Sequence, residues 1–451
     1  MWIRIRRGTG LARRRDRARH ALGRHPRRLV VPRLWRCQGG FRDGRGRARV
    51  STSAPHAIAI IGSGATGYTA AKVLRAEGFT GSITMIGSEH AAPYRRPTVS
   101  KELLTGTKSI EQVQLGSAID GVDVRSGVTA VGVADSTVLL DDGDPVPYDA
   151  LLLATGSRAR QLDLPGHVFT LRGAADVEPL HADILRTRSL LVIGGGLIGC
   201  EAAAAARSLG AEVTVLEAAA APLNRIAPAA VSQMYVDLHA DNGIAFHTDV
   251  AVTDLTEQGD GTSLVTAADG RSWSAGTVLV SVGSVPNVEL GAGMGLEIGS
   301  GVLVDAGMRT STPNVYAAGD VAEVPNRLLG GTYRSEHWNG ALDQAARAAR
   351  SMMGVEPGDL DVPWGWSTQH GVNLQFAGWT RATDEYVVAR GSVADRHFTA
   401  CALRDGRLVG AIGVGYPKDI RQVRAAIATG SPVQRDQLTE AWLDGPQAVV
   451  R

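Results

Sequence analysis

A strand, a glycine-rich turn and a helix occur twice in this chain in the same order, and that repeat constrains the fold more than any bulk property. The first copy, AIAIIGSGATGYTAAKVLRAEGFTGSITMIGSE, predicts a strand from Ala57 to Ile61, a helix from about Ala65 to Glu77 and a strand from Ser82 to Ile86, followed by Glu89. The second, LLVIGGGLIGCEAAAAARSLGAEVTVLE, predicts a strand from Leu190 to Ile193, a helix from Leu197 to Leu209 and a strand from Glu212 to Leu216, followed by Glu217. Glycines at 62, 64 and 67, and again at 194, 196 and 199, permit a tight turn, close approach of a pyrophosphate to backbone N–H groups, and close helix–strand packing. A carboxylate at the end of the next strand is placed to accept hydrogen bonds from ribose hydroxyls. Glu217 would meet a 2′-phosphate as a like charge, and Arg225 is the first basic residue after it, so the pattern favours NADH over NADPH.

Between the copies, alternation around Val122 to Val133 and Thr137 to Leu140 predicts an antiparallel meander leading into a buried strand, Ala150 to Ala154. After the second copy the pattern recurs at Leu264 to Ala268 and Thr277 to Val282. The last third reads as short strands, Val372 to Ala377, Glu385 to Arg390, Phe398 to Arg404 and Arg407 to Val414, with a closing helix from Pro417 to Ala428. The predicted fold class is therefore α/β with two Rossmann-like dinucleotide-binding domains and a C-terminal α+β domain.

Charge is distributed unevenly. The first 50 residues hold 17 arginines against Asp16 and Asp43, a net +15, whereas the remainder, with 30 basic and 43 acidic residues, is net −13. An arginine block of this kind reads as a translated upstream segment or disordered leader, a targeting peptide, or a functional tail; VSTSA (residues 50–54) resembles a natural start. Residues 1–54 are set apart from the fold on that basis. Cys37, Cys200 and Cys401 form no CxxC pair and no metal-ligand spacing, so neither a disulfide framework nor a metal site is expected, and a reducing, cytoplasmic compartment fits. No apolar run reaches the roughly 18 residues of a membrane span. Neither nucleic acid nor a membrane is an expected partner.

Three further stretches add specificity. LLLATGSRAR (residues 151–160) resembles the ATG segment by which two-dinucleotide flavoproteins leave the flavin domain; SVGSVPN (281–287) resembles the exit from their NAD domain, and TSTPNVYAAGDV (310–321) their flavin-ribitol segment. APYRRPTVSKELLTG (92–106) closely resembles the PYxRPPLSKxxL motif of the ferredoxin reductase branch of that superfamily, where disulfide-reducing relatives carry redox cysteines. The resemblance runs from about Ile58 to Ile427. It implies an FAD domain interrupted by an NAD domain: residues 55–167 and 291–355 for FAD, 168–290 for NAD, and 356–451 for the C-terminal α+β domain.

Roles follow by resemblance, position by position. Arg96 and Lys101 fall on the motif's basic residues, which contact the FAD pyrophosphate and the flavin ring. Arg160 resembles a second pyrophosphate ligand, Val128 an adenine-side backbone contact, and Ala154, Thr155, Gly156, Gly283 and Gly319 belong to the cofactor-contacting segments. Asp320 is expected to accept a ribitol hydroxyl at a helix start. Glu201 matches a glutamate beside nicotinamide and flavin that bonds the lysine; these two, Lys101 and Glu201, are the catalytic candidates. Cys200 beside it is read as core packing. Trp338, in RSEHWNGALDQAARAA (334–349), would border the pyrimidine edge of the ring. Trp366, in WGWSTQ (364–369), would stand between flavin and acceptor. Thr98-Val99 replaces the family's Pro-Leu, and Thr368 replaces its usual Asp. The implied reaction passes electrons from NADH through FAD to a small iron-sulfur ferredoxin, docked on basic residues with Arg334, Lys418 and Arg421 as candidates. A monomer or weak homodimer is expected. Two alternatives stay open: the same fold reducing rubredoxin, a quinone-like acceptor or oxygen, and a non-enzymatic NADH sensor.

Overall fold

The computed structural model describes residues 55–359, 361–430 and 432–445; the arginine-rich leader and Cys37 lie outside them. The first glycine-rich copy builds a five-stranded parallel sheet in the order 315–317, 150–153, 57–61, 82–87, 122–126. Its central strands, Ala57–Ile61 and Ala150–Leu153, are buried along nearly their whole length, as parallel strands covered on both faces must be. Helix α1 (Ala65–Ala76) buries Thr66, Gly67, Ala70, Ala71 and Leu74, a stripe of helical period.

The chain then crosses through α2 (Val177–Thr187) into a four-stranded parallel sheet ordered 244–247, 212–216, 189–193, 277–280. Here α3 (Leu197–Ser208) is rich in alanine, the strongest helix former, and its small side chains are buried on almost every side. That lets it contact both its own sheet and the C-terminal strand Trp364–Gln369. Helix α4 (Ala229–Asp241) flanks strand Ile244–His247, and the short α5 (Glu289–Gly293) follows the exit from this unit. Strand Val315–Ala317 returns to the first sheet, and α6 (Trp338–Met352) packs along α1.

The last segment is a five-stranded antiparallel sheet ordered 364–369, 372–378, 407–414, 397–404, 385–392, with α7 (Pro417–Ala428) on one face. The other face shares a core with α4: Val231, Met234, Tyr235 and Leu238 pack with Leu374, Phe376, Phe398 and Ile412. The expected fold class is the observed one. No helix among the described residues is long and apolar enough to cross a membrane.

One element differs from expectation. Val122–Ser126 is not part of a meander but the parallel edge of the first sheet, paired with Ser82–Gly87; the meander is Ala130–Ala134, Thr137–Leu140 and Val146–Pro147. A half-exposed edge strand alternates like an antiparallel one, so periodicity does not tell them apart.

Arg347, 2% exposed, fastens α6 to the segment leading into the C-terminal sheet. Its guanidinium donates to the carbonyls of Ala306 (2.7 Å), Gly358 (2.9 Å), Asp359 (2.5 Å) and Pro357 (3.3 Å). Arg347→Met removes all four of these part-buried hydrogen bonds and is expected to destabilise the fold by roughly 1–3 kcal/mol. A urea or thermal transition unmoved in the variant would contradict this.

Candidate functional site

Both glycine-rich turns press backbone against backbone. Gly62 has φ +118° and a Cβ there would fall 2.0 Å from the Ala154 carbonyl oxygen; Gly194 has φ +111° and a Cβ would fall 2.4 Å from that of Ser281. A Cβ on Gly67 would lie 1.9 Å from the Gly62 oxygen, and one on Gly199 2.2 Å from the Gly194 oxygen, so each third glycine seats its helix against its turn. Helices α1 and α3 start at Gly64 and Gly196 with no side-chain cap and no acidic residue in the first turn. Their first-turn amides and positive dipole ends are thus left for an anion from outside the chain.

A cavity of about 800 Å³ runs from the first turn to the C-terminal sheet. It gathers most of the residues singled out in the sequence: Gly62, Gly64, Glu89, Arg96, Lys101, Ala154, Thr155, Gly156, Arg160, Glu201, Asp320, Trp338 and Trp366. Four others sit behind its wall. Gly67 and Gly319 both abut backbone or Thr66, Val128 N–H donates to the Gly87 carbonyl at 3.1 Å, and Arg160 N–H donates to that of Gly283 at 2.9 Å. Gly194, Gly196, Gly199 and Glu217 lie apart, at the carboxyl ends of the second sheet's strands; Glu217 accepts from the N–H groups of Gly195 (2.7 Å) and Ala219 (2.8 Å). The ATG and SVPN segments meet directly: Thr155 Oγ1 donates to the Asn287 carbonyl, and Asn287 Nδ2 to that of Thr155, both at 2.8 Å.

Opposite charges are paired inside the cavity. Glu89 pairs with Arg96 and accepts from the Tyr94 hydroxyl at 2.7 Å. Burial pushes the Glu89 carboxyl up, but the Arg96 charge and hydrogen bond, with help from Tyr94 and Arg172, outweigh it and hold the group below its ordinary value. Asp320 accepts from Ser157 Oγ at 2.9 Å and pairs with Arg172 at 2.5 Å. Its expected place at a helix start is not observed: Gly319 and Asp320 form a turn before strand Ala322–Pro325, and side-chain donors rather than a helix dipole steady its charge. Arg172 and Ser157 both line the cavity and were not singled out; no spacing marks either in the sequence.

At the cavity's inner end Glu201, 6% exposed, pairs with Lys101 at 2.5 Å. Its carboxylate also accepts from Ser100 Oγ (2.5 Å) and Ser367 Oγ (2.6 Å). Trp338 opens α6, and Trp366 packs against Trp364 with ring centroids 6.0 Å apart and planes tilted by 37°. Cys200 is buried behind Glu201 and its thiol is pushed up by burial and by the neighbouring carboxylates, which suits packing rather than redox chemistry. Thr98 keeps a backbone N–H that donates to Arg95, which the family's proline lacks, and Val99 packs in a buried core, so both departures are accommodated. Among the docking candidates Arg334 is withdrawn: its side chain is 14% exposed, pairs with Glu336 and donates to the Asp320 carbonyl. Lys418 and Arg421 are exposed on α7.

The donor set fits a flavin dinucleotide: an uncapped helix start for pyrophosphate, arginines beside it, paired carboxylates for hydroxyls, and a lysine–glutamate pair with aromatic walls for a ring. Residues 56–345 match the family model described as pyridine nucleotide-disulphide oxidoreductase, and residues 364–444 the one described as reductase C-terminal. The chain is 36% identical over 404 residues to rhodocoxin reductase of Rhodococcus erythropolis, covering 87% of this chain and 94% of that protein. It is 37% identical over 392 residues to the ferredoxin–NAD(+) reductase component of an anthranilate 1,2-dioxygenase system from Burkholderia cepacia, covering 84% and 96%. Among solved structures, the covalent putidaredoxin reductase–putidaredoxin complex superposes with a TM-score of 0.80 at 31% identity, covering 86% of this chain and 96% of that one.

The Glu89–Arg96 pair carries a pH signature. Because the folded carboxyl sits below its ordinary 4.5, the pair stabilises the fold above that pH and the contribution is lost as pH falls through and below it. Arg96→Met is expected to lower the melting temperature at pH 7 by a margin that shrinks on acidification towards pH 4. A margin independent of pH would mean that the pair does not hold the Glu89 charge.

Proposed function

We propose, on the premise that this chain belongs to the pyridine nucleotide-disulphide oxidoreductase family, that it passes electrons from NADH through FAD to a [2Fe-2S] ferredoxin serving a monooxygenase or dioxygenase. The observation that carries the reading is the ion pair of Lys101 with the buried Glu201 in the cavity wall, which among the described residues no thiol lines. Support for the acceptor comes from the relative named as a ferredoxin–NAD(+) reductase component, from the one named as rhodocoxin reductase, and from the neighbour held in complex with putidaredoxin. We assign residues 55–167 and 291–355 to FAD, 168–290 to NAD, and 356–451 to the C-terminal domain. A cytoplasmic monomer or weak homodimer is the accompanying expectation.

FAD, once bound, supplies the two-electron to one-electron conversion. The chain supplies position and charge. Arg96, Arg160 and Arg172, with the amides at the start of α1, would hold the pyrophosphate; Glu89 would take ribose hydroxyls and Asp320 the ribitol. Gly194, Gly196 and Gly199 would seat the second pyrophosphate on α3, with Glu217 on the adenosine ribose. Lys101 sets positive charge where the reduced ring gathers electron density, and Glu201 keeps that ammonium in place. Trp338 and Trp366 would wall the ring against water. Lys418 and Arg421, exposed on α7, offer charge to an acidic carrier.

Purified protein reconstituted with FAD is expected to be yellow, to bleach under NADH at least about tenfold faster than under NADPH, and to reduce cytochrome c only when a ferredoxin is added. Glu217→Ala should bring the two nucleotides within a few-fold of each other. Failure of NADH to bleach the flavin would overturn the reading, and an unchanged ratio in Glu217→Ala would overturn the account of nucleotide choice.

A further inference from the structure

Beyond Ser367, the hydrogen bonds that reach Glu201 continue away from the cavity. Gln369 Nε2 donates to Ser367 Oγ at 3.0 Å; Gln369 Oε1 meets His239 Nε2 at 2.9 Å; His239 Nδ1 meets His370 Nε2 at 3.3 Å. Ser367, Gln369 and His239 are each 1% exposed or less. The chain links α3, the C-terminal strand Trp364–Gln369 and α4, three elements brought together only by the fold.

Its direction is forced from the carboxylate outward. An ionised Glu201 only accepts, so the Ser367 hydroxyl hydrogen points to it and the Ser367 oxygen must accept from the next group. That turns the NH2 of Gln369 towards Ser367 and its carbonyl towards His239. The His239 Nε2 therefore carries hydrogen and, in a neutral ring, Nδ1 accepts from His370. The ring lies among those of His370, Phe246 and Tyr235, with centroids 5.0, 5.7 and 6.5 Å away. Burial lowers His239 to about 4, so the imidazole is neutral, as this polarity requires.

We propose that His239, Gln369 and Ser367 are positioning residues for the redox centre: acting in series they fix the Glu201 carboxylate, and through it the Lys101 ammonium, against the cofactor ring. This rests on the reading of Lys101 and Glu201 as the ring-side pair. A merely structural polar chain would stabilise the fold and leave the cofactor's electron affinity alone. A chain that sets Glu201 disperses its charge; cutting the chain leaves more negative potential at the ring and disfavours the reduced flavin.

The test uses the FAD-loaded protein equilibrated with a redox dye under anaerobic conditions. Gln369→Leu and His239→Leu are expected to shift the equilibrium roughly threefold to tenfold towards oxidised flavin, whereas His239→Gln, which keeps an N–H donor, should stay near wild type. The rate of flavin reduction by NADH should fall in the two leucine variants while half-saturation by NADH changes less than about twofold. Should either leucine variant fail to fold, Ser367→Ala, which removes one oxygen, decides by the same titration. A flavin-loaded variant with the wild-type dye equilibrium, whatever its stability, overturns the positioning role alone. A wild-type chain that takes up no FAD overturns the underlying reading instead.

Discussion

Glu201 is a carboxylate almost wholly removed from water, and it is tolerable there only because donors reach it from separate stretches of chain. Ser100 and Lys101 come from the loop after the first mononucleotide unit, Glu201 itself from the alanine-rich helix of the second, and Ser367 from the first strand of the C-terminal sheet. No one of these units satisfies the charge alone. The carboxylate therefore ties the geometry of the cavity to the assembly of the three units, and the small residues of α3 are what allow the C-terminal strand to come close enough to contribute.

The outer cavity follows a similar rule with less burial. Arg96 with Glu89 and Arg172 with Asp320 place cations beside carboxylates along the cavity wall. Each pair holds both partners oriented, so the wall is polarised before any ligand arrives. Ser157 and Tyr94 complete the pairs and limit their rotation. The uncapped starts of α1 and α3 add fixed partial charges that need no side chain.

Much of this was legible in the sequence because backbone constraints leave compositional marks. The glycines at 62, 67, 194 and 199 stand where a Cβ would strike a carbonyl, and the strands and helices around them match the expected ones within a residue or two. Lys101, Glu201 and the aromatic walls were legible only through resemblance, since a lysine in a loop has no period to betray it. Arg172, Ser157 and the His239–Gln369 contact were illegible for a different reason: they act across sequence separations that nothing local encodes. Helix α4 is an intermediate case. Val231, Met234, Tyr235 and Leu238 carry a helical period, but polar residues between them and a proline start hid its role as the floor of the C-terminal sheet.

Strand alternation explains how Thr368 can stand where the family usually has Asp without disturbing the bonds to Glu201. In Trp364–Gln369 the fully buried residues are Gly365, Ser367 and Gln369, while Trp364, Trp366 and Thr368 share the opposite, half-exposed face. Ser367 and Gln369 point into the hydrogen bonds that end on Glu201; Thr368, the residue that replaces the family's usual Asp, points away with Trp366. Exchanging a charge for a hydroxyl there changes the potential of that face and leaves every Glu201 donor in place. The period-2 geometry of a single strand thus puts the hydrogen bonds that end on Glu201 on one side and Trp364, Trp366 and Thr368 on the other.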